Sequence, residues 1–162
     1  MNARLQKFHR RAVLPGLALV SGFAVFAVAA GAQSSRAGLP KATVYKSPSC
    51  GCCSKWVDHM KNAGFDVTAI NVDDVDKVKR EHGIPAGMDS CHTALIGNYV
   101  VEGHVPADVV QRMLREKPAI AGLAAPGMPP GSPGMEVPGY KAPPYSVMSF
   151  DKAGKTAVYE KR

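Results

Sequence analysis

The first 32 residues contain no aspartate, no glutamate and no cysteine. Four lysine or arginine residues lie within the first 11 positions, an almost wholly apolar run extends from Val13 to Ala30, and a small-x-small motif ends at Ala32. This order is typical of a secretory signal peptide. The apolar run approaches the length of a membrane span, but its proline, serine and glycine residues weaken a permanent helix. We therefore predict a signal peptide at residues 1–32, cleaved near Ala32, and no membrane attachment after cleavage.

Cleavage would remove much of the positive charge of the chain. Residues 33–162 keep 16 basic and 13 acidic residues, a net charge of +3. So small an excess predicts no nucleic-acid partner. The sequence contains no internal repeat, and the remaining chain of about 130 residues suffices for one small domain but hardly for two. We expect a flexible lead-in at residues 33–40 and a single domain at residues 41–162.

All four cysteines follow the predicted cleavage position, and three of them are crowded into Cys50-Gly51-Cys52-Cys53. Structural disulfides are the ordinary expectation for an exported protein. The spacing argues against them, because Cys52 and Cys53 are badly placed to bridge each other and short loops gain little from closure. Together with Cys91, these residues indicate a reactive or metal-binding site.

Apolar periodicity predicts alternating strands and helices in the first half of the domain. The residues after Cys50 place an apolar stripe at helical spacing, at Cys53, Trp56, Val57 and Met60. The patterns predict, in order, a strand at 42–46, a helix after Cys50, a strand at 65–72 and a helix from Asp73 or Asp74 to Glu81.

A turn signal at Gly97-Asn98 predicts a β-hairpin of residues 93–96 and 99–102. Pro106 can then open a third helix at its first position. Strand, helix, strand, helix, hairpin and helix follow one another as in thioredoxins, so we predict an α/β, thioredoxin-like single domain. A right-handed crossover between the first two strands would put the first helix's N-terminus at the carboxyl end of the first strand.

Residues 118–144 are dominated by proline and glycine. Such a composition predicts neither helix nor central strand, so we interpret the segment as a Pro/Gly-rich loop. Alternating residues on both sides of a turn at 151–154 predict a closing hairpin at 145–160. Because structure is expected on both sides, the loop is better interpreted as pinned across the domain than as a free tail.

The predicted topology gathers the cysteines at one place. Cys50 lies just before the first helix, where free N–H groups and the helix dipole favour a thiolate, and with Cys53 it forms a C-x-x-C pair where thioredoxins have theirs. Cys52 adds a third sulfur on the flank of the helix. Cys91 precedes the hairpin at the position of the thioredoxin cis-proline, and the end of the hairpin brings His104 within reach of the same edge.

Several motifs together resemble the CopG family of periplasmic copper-resistance proteins. They are C-G-C-C, Cys91-His92-Thr93, the run from Val101 to Pro106, and the G-M-P-x-G-S-P-G-M stretch that begins at Gly127. The resemblance covers nearly all of residues 33–162. It implies a thioredoxin-like fold, a periplasmic location and copper bound by Cys50, Cys52, Cys53 and Cys91. It also implies copper ions, and other periplasmic copper-handling proteins, as partners.

Chemistry alone leaves two metals, because thiolates suit both Cu(I) and Zn(II). A single tetrahedral zinc needs four converging sulfurs, and side chains of neighbouring helical residues diverge by about 100°. Cu(I) accepts bridging thiolates, so we expect copper, with more than one Cu(I) ion per chain. His92 and His104 are further candidate ligands, and Met128 and Met135 either bind the metal or simply pack. We expect His59 to be solvated on the outer face of the first helix.

Two functions are compatible with this site. The first is a periplasmic copper-binding protein for copper resistance or homeostasis, with or without coupling of copper to thiol redox chemistry. The second is a thiol–disulfide oxidoreductase that uses Cys50 and Cys53, with Cys91 as a resolving thiol. Cys52 and the absent cis-proline favour the first, and enzymatic activity as a copper/thiol oxidoreductase stays open.

Overall fold

The structure is a computed structural model that describes residues 38–162. The predicted signal peptide and most of the predicted lead-in lie outside the described residues. Leu39, near the end of the predicted lead-in, packs against the hydrophobic core. Nowhere in residues 38–162 is a helix long and apolar enough to cross a membrane.

The described chain builds one seven-stranded sheet and three helices. The strands are β1 (Ala42–Lys46), β2 (Val67–Asn71), β3 (His92–Ile96), β4 (Tyr99–Gly103), β5 (Gly122–Ala125), β6 (Ser146–Phe150) and β7 (Thr156–Lys161). The helices are α1 (Gly51–Asn62), α2 (Val75–Glu81) and α3 (Ala107–Glu116). The elements predicted before residue 118 are confirmed within a few residues at each end.

The order of strands across the sheet is β2-β1-β3-β4-β5-β6-β7. β1 is parallel to β2 and β4 is parallel to β5, whereas every other neighbouring pair is antiparallel. Parallel neighbours need a crossover connection, which α1 and α3 supply. The N-terminus of α1 therefore lies at the carboxyl end of β1, and the domain is a mixed α/β fold as predicted.

Helix α1 is held to the sheet by its predicted apolar stripe. Cys53, Trp56, Val57 and Met60 are all buried. The indole nitrogen of Trp56 donates to the carbonyl oxygen of Val105 at 2.9 Å, so burying this large side chain leaves no polar atom unpaired. This contact ties the first half of α1 to the segment that leads into α3.

The prediction that residues 118–144 contain no central strand is wrong for β5. This strand lies between β4 and β6, and all four of its residues are buried. Prolines flank the strand without interrupting it, so its hydrogen-bond ladder stays intact. A Cβ atom at Gly122 would lie 2.1 Å from the carbonyl oxygen of Val100, so the close approach of β4 and β5 requires glycine there.

The predicted C-terminal hairpin is present as β6 and β7, which pair antiparallel with an irregularity between Val147 and Met148. Its turn is closed by Asp151, whose carboxylate accepts from the backbone nitrogens of Ala153 and Lys155. The hairpin extends the sheet beyond β5 and so fixes the far end of the Pro/Gly-rich segment.

The expectation that His59 is merely solvated is wrong. Its Nε2 accepts a hydrogen bond from the backbone nitrogen of Ala107 at 3.0 Å. Pro106, the N-cap of α3, makes no side-chain capping bond, so His59 satisfies a free N–H at the start of that helix from outside. The imidazole thereby links α1 to the N-terminus of α3.

Candidate metal centre

Cys50 caps the N-terminus of α1. Its backbone is extended, and its sulfur accepts from the backbone nitrogen of Cys53 at 3.3 Å. The first turn of α1 contains no acidic residue, so no carboxylate opposes the free N–H groups and the helix dipole. This position stabilises negative charge on sulfur, which is the form that binds metals and attacks disulfides.

Cys91 immediately precedes β3. Since β3 runs antiparallel to β1 with His92 opposite Lys46, the start of β3 lies beside the end of β1, where α1 begins. The sulfur of Cys91 lies 3.9 Å from that of Cys52. The pairing of strands therefore brings Cys91 to the cysteines of the helix, as the predicted topology required.

All four cysteine sulfurs lie within 4.8 Å of one another. The expectation that Cys52 and Cys53 diverge too far to face one ion is therefore wrong, and the sulfur of Cys52 lies 3.5 Å from that of Cys50. Side chains lean toward the N-terminus of a helix, so the sulfurs of its first turn meet above the helix end. Four thiolates around one tetrahedral ion lie roughly 3.8 Å apart. The cluster is compact enough for one ion or for several bridged ions.

Cys50 and Cys53 are joined by a disulfide, whereas Cys52 and Cys91 are free thiols. A bridge across three positions closes too small a loop to add much stability. It lies at the end of α1, beside the two further sulfurs of Cys52 and Cys91. The four sulfurs become available together as ligands when this disulfide is reduced.

Burial, followed by the neighbouring Cys52, raises the pKa of the Cys91 thiol to about 12. Without a metal ion, Cys91 is therefore protonated at neutral pH. A soft cation bound here would replace that proton, so metal binding is coupled to proton release.

His104 is fully buried and lies between the Pro/Gly-rich segment and Cys91. Its Nδ1 lies 2.8 Å from the carbonyl oxygen of Pro133, and its Nε2 lies 2.9 Å from the sulfur of Cys91. A carbonyl only accepts, so Nδ1 carries the proton and Nε2 presents its lone pair to the sulfur side. Burial lowers the pKa of His104, which keeps the ring neutral. Sequence reasoning named His104 as a candidate ligand, and the structure brings its Nε2 to the sulfur of Cys91.

His92 is also fully buried, against Trp56 and His104, with ring centroids 4.5 and 5.0 Å away. Its Nδ1 lies 3.6 Å from the sulfur of Cys91. Burial, followed by the adjacent His104, lowers its pKa to about 3. Its Nε2 has no hydrogen-bond partner among the described residues. Cys91, His92 and His104 thus form a second compact group of potential ligands that shares Cys91 with the first.

A buried carboxylate fixes the segment before Cys91. Glu102 is fully buried; its oxygens accept from the backbone nitrogen of Ser90 at 2.7 Å and from the hydroxyl of Thr93 at 2.6 Å, and Lys79 lies 3.5 Å away. Burial raises the pKa of Glu102, although these partners favour its ionised form. Sequence reasoning missed this group; an acidic residue in an otherwise apolar hairpin strand is the signal that would have found it.

The Pro/Gly-rich segment crosses the cluster, and we refer to residues 127–134 as the strap. At one end, Gly127 exchanges hydrogen bonds with Asp89, at 2.8 Å, and with the hydroxyl of Ser90. At the other end, a Cβ atom at Gly134 would lie only 2.7 Å from the carbonyl oxygen of Cys52, so the backbone rests on α1. The expectation that this segment is pinned across the domain is confirmed.

The two methionines of this segment lie in different surroundings. Met128 is 54% exposed and lines a cavity of about 220 Å³ together with Cys91. Met135 is half-buried, and its backbone nitrogen donates to the carbonyl oxygen of Ser132. Met128 is therefore the methionine that the structure brings to the Cys91 side of the cluster.

A mixed α/β domain that gathers four cysteines and a neutral histidine at a helix N-terminus belongs to the class of thiol-rich candidate metal-binding proteins. A family model described as "Protein of unknown function, DUF411" matches residues 88–135, which include Cys91, His104 and the strap. No curated protein sequence matches the chain.

Two solved structures resemble the whole described domain. They are "Copper resistance protein copG- Form 2" and "Copper resistance protein copG- Form 1", with TM-scores of 0.72 and 0.71. Each is 40% identical to this chain and covers 76% of it, and this chain covers 98% of each. The chain therefore belongs to the CopG copper-resistance family.

Proposed function

We propose that this protein is a periplasmic copper-binding protein of copper resistance that holds Cu(I) on Cys50, Cys52, Cys53 and Cys91. The observation that carries the proposal is the convergence of their four sulfurs within 4.8 Å. Copper resistance in the names of two 40%-identical relatives supports copper as the metal. The strand and helix order around the site supports a thioredoxin-like architecture.

Geometry alone no longer separates copper from zinc, because the sulfurs converge. Chemistry still favours several Cu(I) ions. Four thiolates crowd four negative charges into one place, and Cu(I) lets each thiolate bridge, so several cations can neutralise that charge. His104 offers an additional nitrogen through Nε2, 2.9 Å from the sulfur of Cys91. Met135 remains a candidate thioether at the edge of the cluster.

Single serine variants of the four cysteines test the assignment. Each variant, and the parent, is reduced, loaded anaerobically with Cu(I), desalted and analysed for copper and for thiols. We expect Cys91→Ser to lose about as much copper as Cys52→Ser, because their sulfurs are neighbours at 3.9 Å. Met148→Leu is the matched control on β6. If Cys91→Ser retains as much copper as the parent, Cys91 is not a copper ligand.

A second function is supported by the disulfide between Cys50 and Cys53. Two Cu(II) ions could take one electron each from the reduced pair, which would yield the disulfide, two protons and two Cu(I) ions. Cys52 and Cys91 remain thiols and could keep a Cu(I) ion that is formed. The protein would then couple copper to thiol redox chemistry. In the alternative, the pair exchanges with protein disulfides and Cys91 acts as resolving thiol.

Anaerobic addition of Cu(II) to the reduced protein separates these redox reactions. Copper reduction predicts the loss of two thiols and the appearance of two Cu(I) ions per chain, and Cys50→Ser should abolish both. A thiol–disulfide oxidoreductase predicts instead that the reduced protein cleaves a model protein disulfide catalytically without copper. If neither reaction occurs, the protein binds copper without redox chemistry.

A further inference from the structure

A cavity of about 220 Å³ opens beside the cluster between the strap and the segment before β3. Its lining residues are Asp89, Ser90, Cys91, Gly127 and Met128. Cys91 is the one cysteine of the cluster among them. The cavity therefore opens from the solvent onto Cys91.

Hydrogen bonds fix the frame of this cavity. Gly127 donates to the carbonyl oxygen of Asp89 at 2.8 Å and accepts from the hydroxyl of Ser90. Ser90 is in turn fixed by Glu102. The Glu102 carboxylate accepts a hydrogen bond from the backbone nitrogen of Ser90 at 2.7 Å. The strap and the segment before β3 form the two walls of the cavity and are joined by these hydrogen bonds. The opening between them is therefore part of the fold.

The strap closes the neighbouring side of the cluster. The carbonyl oxygen of Pro133 bonds to His104, and Gly134 lies so close to α1 that no side chain fits between them. Ser132, between the anchors, is fully buried. An ion that enters the cavity therefore meets Cys91, the cysteine among its lining residues.

The groups around the cavity suit the passage of a soft cation. Asp89 is exposed and offers a carboxylate near the opening. Met128 exposes 54% of its surface and carries a thioether that binds Cu(I) weakly. Cys91 offers a stronger thiol ligand. Ligand strength therefore increases from the solvent toward the cluster.

We propose that this cavity is the port through which Cu(I) reaches and leaves the cluster, with Met128 as the transient ligand that passes the ion to Cys91. The proposal rests on the proposed Cu(I) binding and adds its route. A transient ligand lowers the barrier in both directions. Its removal slows loading and release equally and leaves the equilibrium affinity unchanged.

The test compares the full chain after signal removal with Met128→Leu, which keeps an apolar side chain of similar size and removes the sulfur. Met148→Leu, on β6, is the matched control. The reduced proteins are mixed anaerobically in a stopped-flow instrument with Cu(I) held as its weak acetonitrile complex. Release is followed into a chromophoric Cu(I) chelator, and affinity is measured by competition with the same chelator.

We expect both rates of Met128→Leu to fall about fivefold, equivalent to ~1 kcal/mol in the barrier, with the affinity and the Met148→Leu rates unchanged. Asp89→Asn should slow loading, most at low ionic strength. If Met128→Leu still binds Cu(I) and its loading and release rates are unchanged, the proposed port is wrong. Cu(I) would then enter on the Cys50 side. A loss of affinity at an unchanged loading rate would make Met128 a resident ligand and also overturn the port. Failure of the parent to bind Cu(I) would contradict the proposed function itself.

Discussion

The carbonyl oxygen of Pro133 lies 2.8 Å from Nδ1 of His104. Because a carbonyl oxygen can only accept a hydrogen bond, this contact places the imidazole proton on Nδ1. The other nitrogen then faces the sulfur of Cys91 at 2.9 Å without a proton of its own. A hydrogen-bond partner behind a histidine orients it as a metal ligand in this way in many metal sites. The strap is therefore part of the candidate centre.

Replacement of His104 tests its assignment as a ligand. We expect His104→Gln to lower the Cu(I) affinity at least about tenfold, because even the partners that orient metal ligands typically contribute 10- to 100-fold. Competition with a Cu(I) chelator at pH 7 measures the change. His82→Gln is the matched control, since His82 lies at the C-cap of α2. Equal affinity of both variants would leave His104 a packing residue.

Gly134→Ala tests the strap. A Cβ atom there would meet the carbonyl oxygen of Cys52 at 2.7 Å and must push the strap away from α1. We expect faster copper loss to a chelator and faster amide hydrogen exchange between Gly127 and Gly134. Gly139→Ala places a side chain at a similar positive φ with no atom within 4 Å, so it controls for backbone strain. If both variants release copper at the same rate, the strap does not shield the cluster.

His59 predicts a pH dependence of stability. Burial lowers its pKa below the ordinary value of 6.5, although Glu136 and Asp108 oppose the shift. The unfolded chain therefore takes up this proton more readily, and the folded state loses stability as the pH falls below 6.5. His59→Ala should cost about 0.5–2 kcal/mol at pH 7.5 through the lost bond to Ala107 and should have a shallower dependence between pH 7 and 5. Parallel urea unfolding curves measure both, and identical slopes would contradict this role.

Gly122→Ala tests the central position of β5. The added Cβ would lie 2.1 Å from the carbonyl oxygen of Val100 and 2.6 Å from the ring of Phe150. Overpacking of this kind costs about 1–3 kcal/mol or more, so we expect a clear drop in the midpoint of urea unfolding. Gly38→Ala, with no atom within 4 Å, should leave the midpoint unchanged. Equal midpoints would show that β5 pairs less closely than the structure indicates.

Local patterns in the sequence were sufficient to predict most of the fold. The apolar stripe of α1 and the Gly97-Asn98 turn are formed by residues close together in sequence, so they can be predicted without the rest of the chain. β5 was missed because its sequence, Gly-Leu-Ala-Ala, has little strand propensity. Its place between β4 and β6 makes it a strand, with Gly122 allowing the close approach of β4, and that packing exists only after folding.

The candidate site was predictable where topology determines it. The pairing of β1 with β3 brings Cys91 to α1 whatever its side chain, so strand order alone located the fourth sulfur. The directions of side chains were harder to predict. Cys52 was expected to point away from Cys53, but its sulfur lies close to that of Cys50. The bond between His59 and Ala107 joins residues distant in sequence, and no local pattern predicts such a contact.

The number of Cu(I) ions bound per chain tests whether the four converging thiols hold copper. The protein is fully reduced, its four thiols are counted, and it is titrated anaerobically with Cu(I) against a chromophoric chelator. We expect tight binding of more than one Cu(I) per chain, with no free thiol left at the endpoint. Cys52→Ser should lower the endpoint. A sharp endpoint at one equivalent would contradict the bridged cluster, and no competition with the chelator would contradict copper binding by these cysteines.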